Sequence, residues 1–308
     1  MKVLITGAGG FLGSWLAEDF KNAGHEVFGL TRADADLMDR QQLRQVIKSV
    51  NPHCVVHSAG LVGGIEANMK NNYRFLLDNV IMGANVVATA FECDVPKLIN
   101  MSSSCVYPPN SPQPFNELQI LTGSLEKTNE GYALAKIATQ KITEYISSEY
   151  GLSYRTLIPS NLYGPRDNFH PDSSHMLASI LLKIQKAKRN KLDTVEIWGD
   201  GTARREFTYV GDLSEWVAKE AINLLSEFPS SLNVGFGSDH SVSDYYMTVA
   251  DVMEYQGGFK FLLEKPIGMH QKLMDSSTAS RFGWKAKTEL TEGIKITAKW
   301  MENNVKLG

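Results

Sequence analysis

The sequence predicts an α/β protein: a doubly wound parallel sheet followed by a smaller, mixed α/β C-terminal lobe. Three observations predict it. An apolar run, Lys2-Val3-Leu4-Ile5-Thr6, leads straight into a glycine loop, Gly7-Ala8-Gly9-Gly10-Phe11-Leu12-Gly13. Short apolar runs then alternate with amphipathic stretches up to about residue 160, the order that builds parallel strands joined by helical crossovers. Within one of those stretches Tyr132 and Lys136 stand four residues apart, which on a helix puts both on one face, one turn apart.

Size and composition bound the rest. A chain of 308 residues suits one large domain or two smaller ones. Hydrophobic content of 43% and charged content of 21% are ordinary for a globular protein. A net charge of −3 gives no nucleic-acid footprint, and the most basic stretch, Lys186 to Lys191, reads as a solvated helix end. The first apolar run is too short for a signal peptide. No run of 18 apolar residues stands out, so no membrane span is expected. Three scattered cysteines, Cys54, Cys93 and Cys105, make neither a disulfide framework nor a zinc site. The expected compartment is the cytoplasm, with no bound metal.

Taken in order, residues 2–6 form a buried strand. Leu12, Leu16 and Phe20 then recur every four residues, as on an amphipathic helix. Strand, glycine loop and helix open a dinucleotide-binding (Rossmann) fold. Gly7 allows the turn, Gly10 lets a diphosphate approach the backbone, and Gly13 lets helix and strand pack closely; the helix N-terminus faces the phosphates. The second strand, residues 26–30, ends in Leu30-Thr31-Arg32. There is no acid for a ribose 2′-hydroxyl, and a guanidinium pairs with a 2′-phosphate, so NADP(H) is the expected cofactor. Asp36-Leu37-Met38-Asp39 comes next, with Asp39 also placed to cap a helix over residues 40–50.

A third strand, 54–57, ends in small residues, and its His57 reads as a packed structural residue. A long helix over 66–91 and a fourth strand over 97–101 follow, then Ser102-Ser103-Ser104-Cys105-Val106-Tyr107-Pro108. The aperiodic stretch 109–131 reads as a long loop at the substrate entrance. A helix over 132–150 carries the tyrosine–lysine pair, and a fifth strand spans 153–158. The pattern breaks at Pro159 to Pro165. The expected division is therefore a dinucleotide-binding domain over 1–162 and a substrate lobe over 163–308, with about 208–240 a candidate to return to the first. The lobe's expected elements are helices near 176–187, 212–225, 242–255 and 290–303, and strands at 195–198 and 233–236.

A lysine ammonium beside Tyr132 is expected to lower the phenol's pKa by favouring the phenolate. Such a tyrosine passes a proton to a carbonyl oxygen or takes one from an alcohol. A serine from the Ser102 run can hydrogen-bond the same oxygen.

The glycine spacing at 7, 10 and 13 resembles the extended short-chain dehydrogenase/reductase family. Further stretches narrow the likeness: Gly63-Gly64-Ile65, Ser103 to Pro108, Asn129 to Lys136, Asn161-Leu162-Tyr163-Gly164-Pro165-Arg166-Asp167-Asn168-Phe169-His170-Pro171, Ser174-His175, Trp198 to Gly201 and Arg204-Arg205-Glu206-Phe207. Together they resemble the GDP-L-fucose synthase subgroup. The resemblance implies NADPH-dependent reduction at C4 of a GDP-4-keto-6-deoxy sugar, coupled to C3/C5 epimerisation, by a homodimer. It implies Ser103, Tyr132 and Lys136 as the reductase triad, and Cys105 and His175 as the epimerisation pair. Implied cofactor contacts are Gly7, Gly10, Phe11, Leu12, Gly13, Arg32, Asp36, Ser102, Lys136, Pro159, Asn161, Leu162 and His175. Implied substrate contacts are Ser104, Asn161, Lys183, Trp198, Arg205 and Lys272. A helix cap is the bland alternative for His175, and a small core residue for Cys105.

The chain also departs from that pattern. Lysine stands at 183 where arginine is usual, which keeps the charge and loses bidentate geometry. Ile267 and His270 replace an aspartate and a proline. A related C4 reductase of a GDP-4-keto-6-deoxy-heptose or a 3,6-dideoxy sugar, with altered or no epimerisation, is the alternative. A non-catalytic dinucleotide sensor is the alternative from another class.

Overall fold

The computed structural model describes residues 1–306 except 172 and 266; Pro266, within the departing stretch 265–272, lies outside them. In the first half, strands and helices alternate as β1 (Lys2–Thr6), α1 (Phe11–Asn22), β2 (Glu26–Leu30), α2 (Arg40–Val50), β3 (Cys54–His57), α3 (Ile65–Glu92), β4 (Lys97–Met101), α4 (Glu130–Tyr150) and β5 (Ser153–Pro159). Beyond them come β6 (Asn161–Tyr163), α5 (Met176–Asn190), β7 (Thr194–Trp198), β8 (Arg204–Arg205), β9 (Phe207–Tyr209), α6 (Val210–Trp216) and α7 (Ile222–Leu224). The chain ends with β10 (Ser231–Val234), β11 (His240–Ser241), α8 (Val242–Val252), β12 (Gly258–Leu262), α9 (Ser277–Arg281) and α10 (Leu290–Asn304).

Six parallel strands form one sheet in the order β10-β5-β4-β3-β1-β2. Strand periodicity divides its side chains between two cores. Val3, Ile5, Val56, Ile99 and Leu157 face α1 and the α6–α7 segment, whereas Leu4, Val55, Leu98 and Tyr154 face α2 and α3. Both faces are covered, which is why these strands read as continuous apolar runs. The chain goes from β1 to the edge at β2 and then returns to β3 on the other side of β1. That reversal opens a crevice beyond the carboxyl ends of β1 and β3, where open α/β sheets take ligands.

Local chemistry sets the helix ends. Asp39 caps α2 by accepting from the amides of Gln41 (2.9 Å) and Gln42 (3.1 Å). Asn51 and Gly151 close α2 and α4 in the left-handed region. α3 and α4 pack closely because Gly83 leaves room for the Thr139 side chain. A window within Glu66–Glu92 is long and apolar enough to cross a membrane by length and composition alone. Val86, Val87 and Ala90 of this helix are fully buried in the core.

The segment around α6 and α7, read as one helix over 212–225, passes through a π turn at Val217–Ala221. β10 then joins the six-stranded sheet beside β5. It ends at Val234, so the expected strand over 233–236 stops short: Gly235 lies against the Glu206 carboxylate, which occupies the space a side chain would need. The remaining elements enclose a separate core of Tyr163, Leu177, Ile180, Ile197, Phe207, Tyr245 and Ile294. Its short pairs β6–β9, β8–β11 and β7–β12 include strands that no sequence pattern marked. The 109–131 stretch is tied down rather than loose. Phe115 is buried and bonds both ways with Leu273 and Asp275, each at 2.8 Å, while Asn233 of β10 donates to its carbonyl at 2.9 Å.

Gly13 carries a testable consequence. A Cβ there would overlap the Gly7 carbonyl, and both atoms belong to backbone with nowhere to move. Gly13→Ala is expected to cost about 1–3 kcal/mol by overpacking, read as a lowered thermal midpoint together with weakened dinucleotide binding. An unchanged midpoint and affinity would show that the turn relaxes freely.

Candidate active site

The crevice at the β1–β3 reversal is a cleft of about 1220 Å³. Its floor is the glycine loop. Gly7 has φ of +72° and lies so close to β3's end that a Cβ would sit 2.7 Å from the Ala59 Cα. The Gly10 amide donates to the Gly7 carbonyl at 2.8 Å. α1 starts at Gly10 with no side-chain cap, so its first amides, on Phe11, Leu12 and Gly13, open toward the cleft they line. Uncapped amides at the positive end of a helix dipole suit a diphosphate. Ser102, on the same cleft, has a buried hydroxyl with no partner among the described residues. The cradle and this orphan hydroxyl fit a dinucleotide.

At the far end the cleft is lined by Thr31, Arg32, Asp36, Leu37 and Met38. Asp34, the first acid after β2, is turned onto the Thr31 amide (2.8 Å) and hydroxyl (2.6 Å). Arg32 has no hydrogen bond or ion pair among the described residues, so its guanidinium is available to an anion. Two features here carried no signal in the sequence. Asn79 of α3 accepts from the Leu61 amide (2.7 Å) and donates to its carbonyl (3.0 Å), fixing the segment after β3. Arg74 and Asp78, also from α3, reach the cleft wall as an ion pair at 3.0 Å.

The other wall gathers Ser103, Tyr132, Lys136, Pro159, Asn161, Leu162, His175 and Arg205 from five parts of the chain. Lys136 is buried and donates to the Met101 carbonyl at the end of β4 (2.8 Å). Its ammonium lies 5.6 Å from the centroid of the Tyr132 ring. The expected lowering of the tyrosine's pKa does not occur in this state. Burial, with the neighbouring Cys105 thiol adding to it, pushes the Tyr132 phenol up. The same burial brings Lys136 down to about 8. Four-residue spacing creates the proximity, but desolvation decides the sign. Ser103 caps a short 3₁₀ turn over 104–106 and accepts from the Cys105 amide at 3.4 Å. His57 behaves as a structural residue: it bonds the Thr6 hydroxyl at 2.8 Å, and burial drives it down to about 3.

Ser104, Cys105 and Lys272 do not line this cleft. Ser104 and Cys105 are buried behind its wall, and burial pushes the Cys105 thiol up. Lys272, which burial brings down to about 8, and Lys136 both oppose that rise, so two cations act on the thiol. His175 begins α5, yet its side chain makes no cap. Instead Nδ1 meets the Asp167 carboxylate at 3.4 Å, a partner that sequence reasoning missed. Lys183 and Trp198 sit together away from the cleft: the Lys183 ammonium lies 5.7 Å from the Trp198 ring centroid and donates to the Tyr246 hydroxyl at 3.1 Å. Arg205 donates to the carbonyls of Arg204 (2.7 Å) and Ile267 (2.8 Å).

Residues 3–235 match the NAD dependent epimerase/dehydratase family. The chain belongs to this family. It is 41% identical over 304 residues to the GDP-L-colitose synthase of Yersinia pseudotuberculosis, with 98% of each chain covered. It is 44% identical over 299 residues to the GDP-L-fucose synthase of Azorhizobium caulinodans, covering 97% of this chain and 96% of the relative. Among solved structures it resembles a GDP-mannoheptose C4 reductase from Campylobacter jejuni with NADP bound (TM-score 0.88, 29% identity, 98% of each chain).

Glu206, next to Arg205, is the buried carboxylate of this region. It accepts from the amides of Gly237 (2.7 Å) and Met274 (3.0 Å), and burial pushes it up to about 7. A carboxyl raised in the folded state favours folding most below its ordinary value of 4.5, and that contribution is lost as pH rises through 7. Relative to Glu206→Gln, the unsubstituted protein should lose about 2–3 kcal/mol of stability between pH 4.5 and 7.5. Denaturant titration of both proteins at several pH values measures it; parallel curves would refute the assignment.

Proposed function

We propose that this chain is an NADPH-dependent C4 reductase of a GDP-linked 4-keto-6-deoxy sugar that also inverts C3 and C5. One observation carries the reading: Ser103, Tyr132, Lys136 and His175 line the same cleft as the glycine cradle. The relatives named for GDP-L-fucose and GDP-L-colitose synthesis support the substrate class. The cofactor would rest on Gly7, Gly10, Phe11, Leu12 and Gly13, with Arg32 at the 2′-phosphate and Asp36, Ser102, Pro159, Asn161 and Leu162 along its length. When bound, it supplies a hydride for C4.

The chain's own groups do the proton work. Tyr132 gives its proton to the C4 oxygen; burial keeps the phenol in its protonated form in the structure. Ser103 hydrogen-bonds the same oxygen. Lys136 sets the tyrosine's surroundings and reaches the cofactor's ribose. The C4 ketone acidifies the C–H bonds at C3 and C5; His175, which lines the cleft, exchanges protons there from one face, and the family resemblance assigns the other face to Cys105, which lies buried behind the cleft wall. Asn161 and Arg205 line the cleft and receive the nucleotide-sugar; Ser104, Lys183, Trp198 and Lys272, which lie outside the cleft lining, are assigned to the substrate by the family resemblance.

We further propose a cytoplasmic homodimer. Its three free cysteines suit a reducing compartment. Met69, Tyr73 and Leu77 on α3 and Leu134, Tyr145 and Tyr150 on α4 are exposed apolar side chains suited to a subunit contact. The division into lobes over 1–162 and 163–308, with about 208–240 returning to the first, is supported by β10's place in the main sheet.

Incubation with GDP-4-keto-6-deoxy-mannose and NADPH in deuterated water should place deuterium at both C3 and C5 of a reduced product, and Tyr132→Phe should slow reduction by about 10²–10⁴-fold. Deuterium at neither carbon, with reduction intact, removes the epimerase half. Deuterium at C5 alone on a 3,6-dideoxy substrate favours the colitose-type reading suggested by the Yersinia relative. Undiminished turnover by Tyr132→Phe refutes the catalytic role of that residue, whereas no turnover of any 4-keto sugar by the unsubstituted protein, with NADPH binding intact, returns the sensor reading.

Arg32→Ala is expected to weaken NADPH binding about tenfold or more while leaving NADH binding nearly unchanged, measured by quenching of protein fluorescence. An equal loss for both nucleotides would detach Arg32 from the 2′-phosphate.

A further inference from the structure

The loop between β6 and α5 is anchored at four points around one carboxylate. The Trp15 indole donates to the Pro165 carbonyl at 2.9 Å. Arg166, in the left-handed region at φ of +72°, turns away onto the Trp15 ring (5.0 Å) and pairs with Glu18 at 2.5 Å. The Asn168 side-chain amide donates to the Ser173 carbonyl (3.2 Å) and hydroxyl (2.9 Å). Phe169 is buried against Trp300, with ring centroids 5.9 Å apart. Between these anchors lies Asp167, whose side chain is only 2% exposed. Its Oδ1 accepts from the Asn168 amide at 2.7 Å and meets His175 Nδ1 at 3.4 Å, at the long end of hydrogen bonding.

A carboxylate can only accept, so Nδ1 must be the protonated nitrogen. The His175 side chain is 40% exposed and lines the cleft, and Nε2 has no hydrogen-bond partner among the described residues. We propose that Asp167 is the positioning residue for His175: it fixes the tautomer, locks the ring, and leaves Nε2 as the atom that carries a proton to or from the substrate. The proposal rests on the reading of His175 as an epimerisation residue. One proton moves between Nε2 and a carbon next to the ketone; the Nδ1 proton stays on the ring, and Asp167 changes no bond.

The electrostatics agree. Burial alone would lower the His175 pKa, but the hydrogen bond and charge of Asp167 outweigh it, and the net direction is upward. No second acid pairs with His175 among the described residues. Of the other cations lining the cleft, Lys136 is engaged with the Met101 carbonyl, Arg205 with the carbonyls of Arg204 and Ile267, and Arg74 with Asp78, while Arg32 stands at the end lined by Thr31 and Met38. Removing the charge at 167 therefore leaves burial unopposed.

The test is Asp167→Asn in the full chain, with Asp167→Glu as the conservative rescue and NADPH affinity as the control for folding. The His175 imidazole is titrated by NMR in all three proteins without substrate. In parallel, deuterium exchange into the 4-keto sugar is followed across pH. In Asp167→Asn the titration should drop by about one unit or more. Exchange should slow by on the order of tenfold to a hundredfold, with the pH limb carried by His175 moving to lower pH; Asp167→Glu should recover part of both. An unchanged titration overturns the proposal, whether exchange persists or is lost. If the unsubstituted protein exchanges no deuterium, the epimerase reading fails, while the titration still decides whether Asp167 governs His175.

Discussion

A buried ammonium bonded to one carbonyl holds the site together. Lys136 comes from the second turn of α4, and its partner, the Met101 carbonyl, is the last group of β4. The bond joins a crossover helix to the carboxyl end of the sheet, where the cleft lies. It also fixes what lies one helical turn earlier, since Tyr132 shares Lys136's face and therefore lines the same wall as Ser103. Burial makes the arrangement electrostatically tense. Lys136 is brought down and Tyr132 is pushed up, so both groups are shifted away from their charged forms. A pair in that condition favours the neutral phenol that a proton donor requires.

The parts of the fold read from sequence are those whose cause is local. Alternating side chains on a two-sided sheet produce apolar runs, and every strand from β1 to β5 was visible on that ground. Asp39 advertised the start of α2 by its residue type alone. The second lobe was harder because its strands are two to five residues long and pair across distant segments. β12 has exposed positions along its length, which blurs any apolar run. β10 was placed two residues too far along because its limit is set by a tertiary contact, the Glu206 carboxylate against Gly235.

The site divides in the same way. The glycine loop, Arg32 and the tyrosine–lysine pair are legible because each depends on spacing within one element or one turn. What spacing cannot convey is desolvation, and the tyrosine's pKa was misjudged for that reason. Asn79 and Asp167 went unread because each works by reaching a backbone or ring more than a turn away. Asn79 in mid-helix looks like a weak helix former, yet it braces the chain after β3. Asp167 looks like an ordinary loop acid until the loop's anchors bury it.

The two halves of the cleft also differ in how they tolerate change. The dinucleotide half is built from backbone contacts packed at their limit, at Gly7 against Ala59 and at Gly13 against Gly7. Any added atom there displaces main chain. On the opposite wall, Arg205 is oriented by two carbonyls, those of Arg204 and Ile267. Carbonyls are common to every residue type, so the side chain at 267 does not enter that bond. Isoleucine there can replace a polar residue without releasing the arginine. A wall held by backbone bonds keeps its charged group in place while neighbouring side chains change the ligand's surroundings. The relatives that this chain resembles are themselves named for different GDP-sugars.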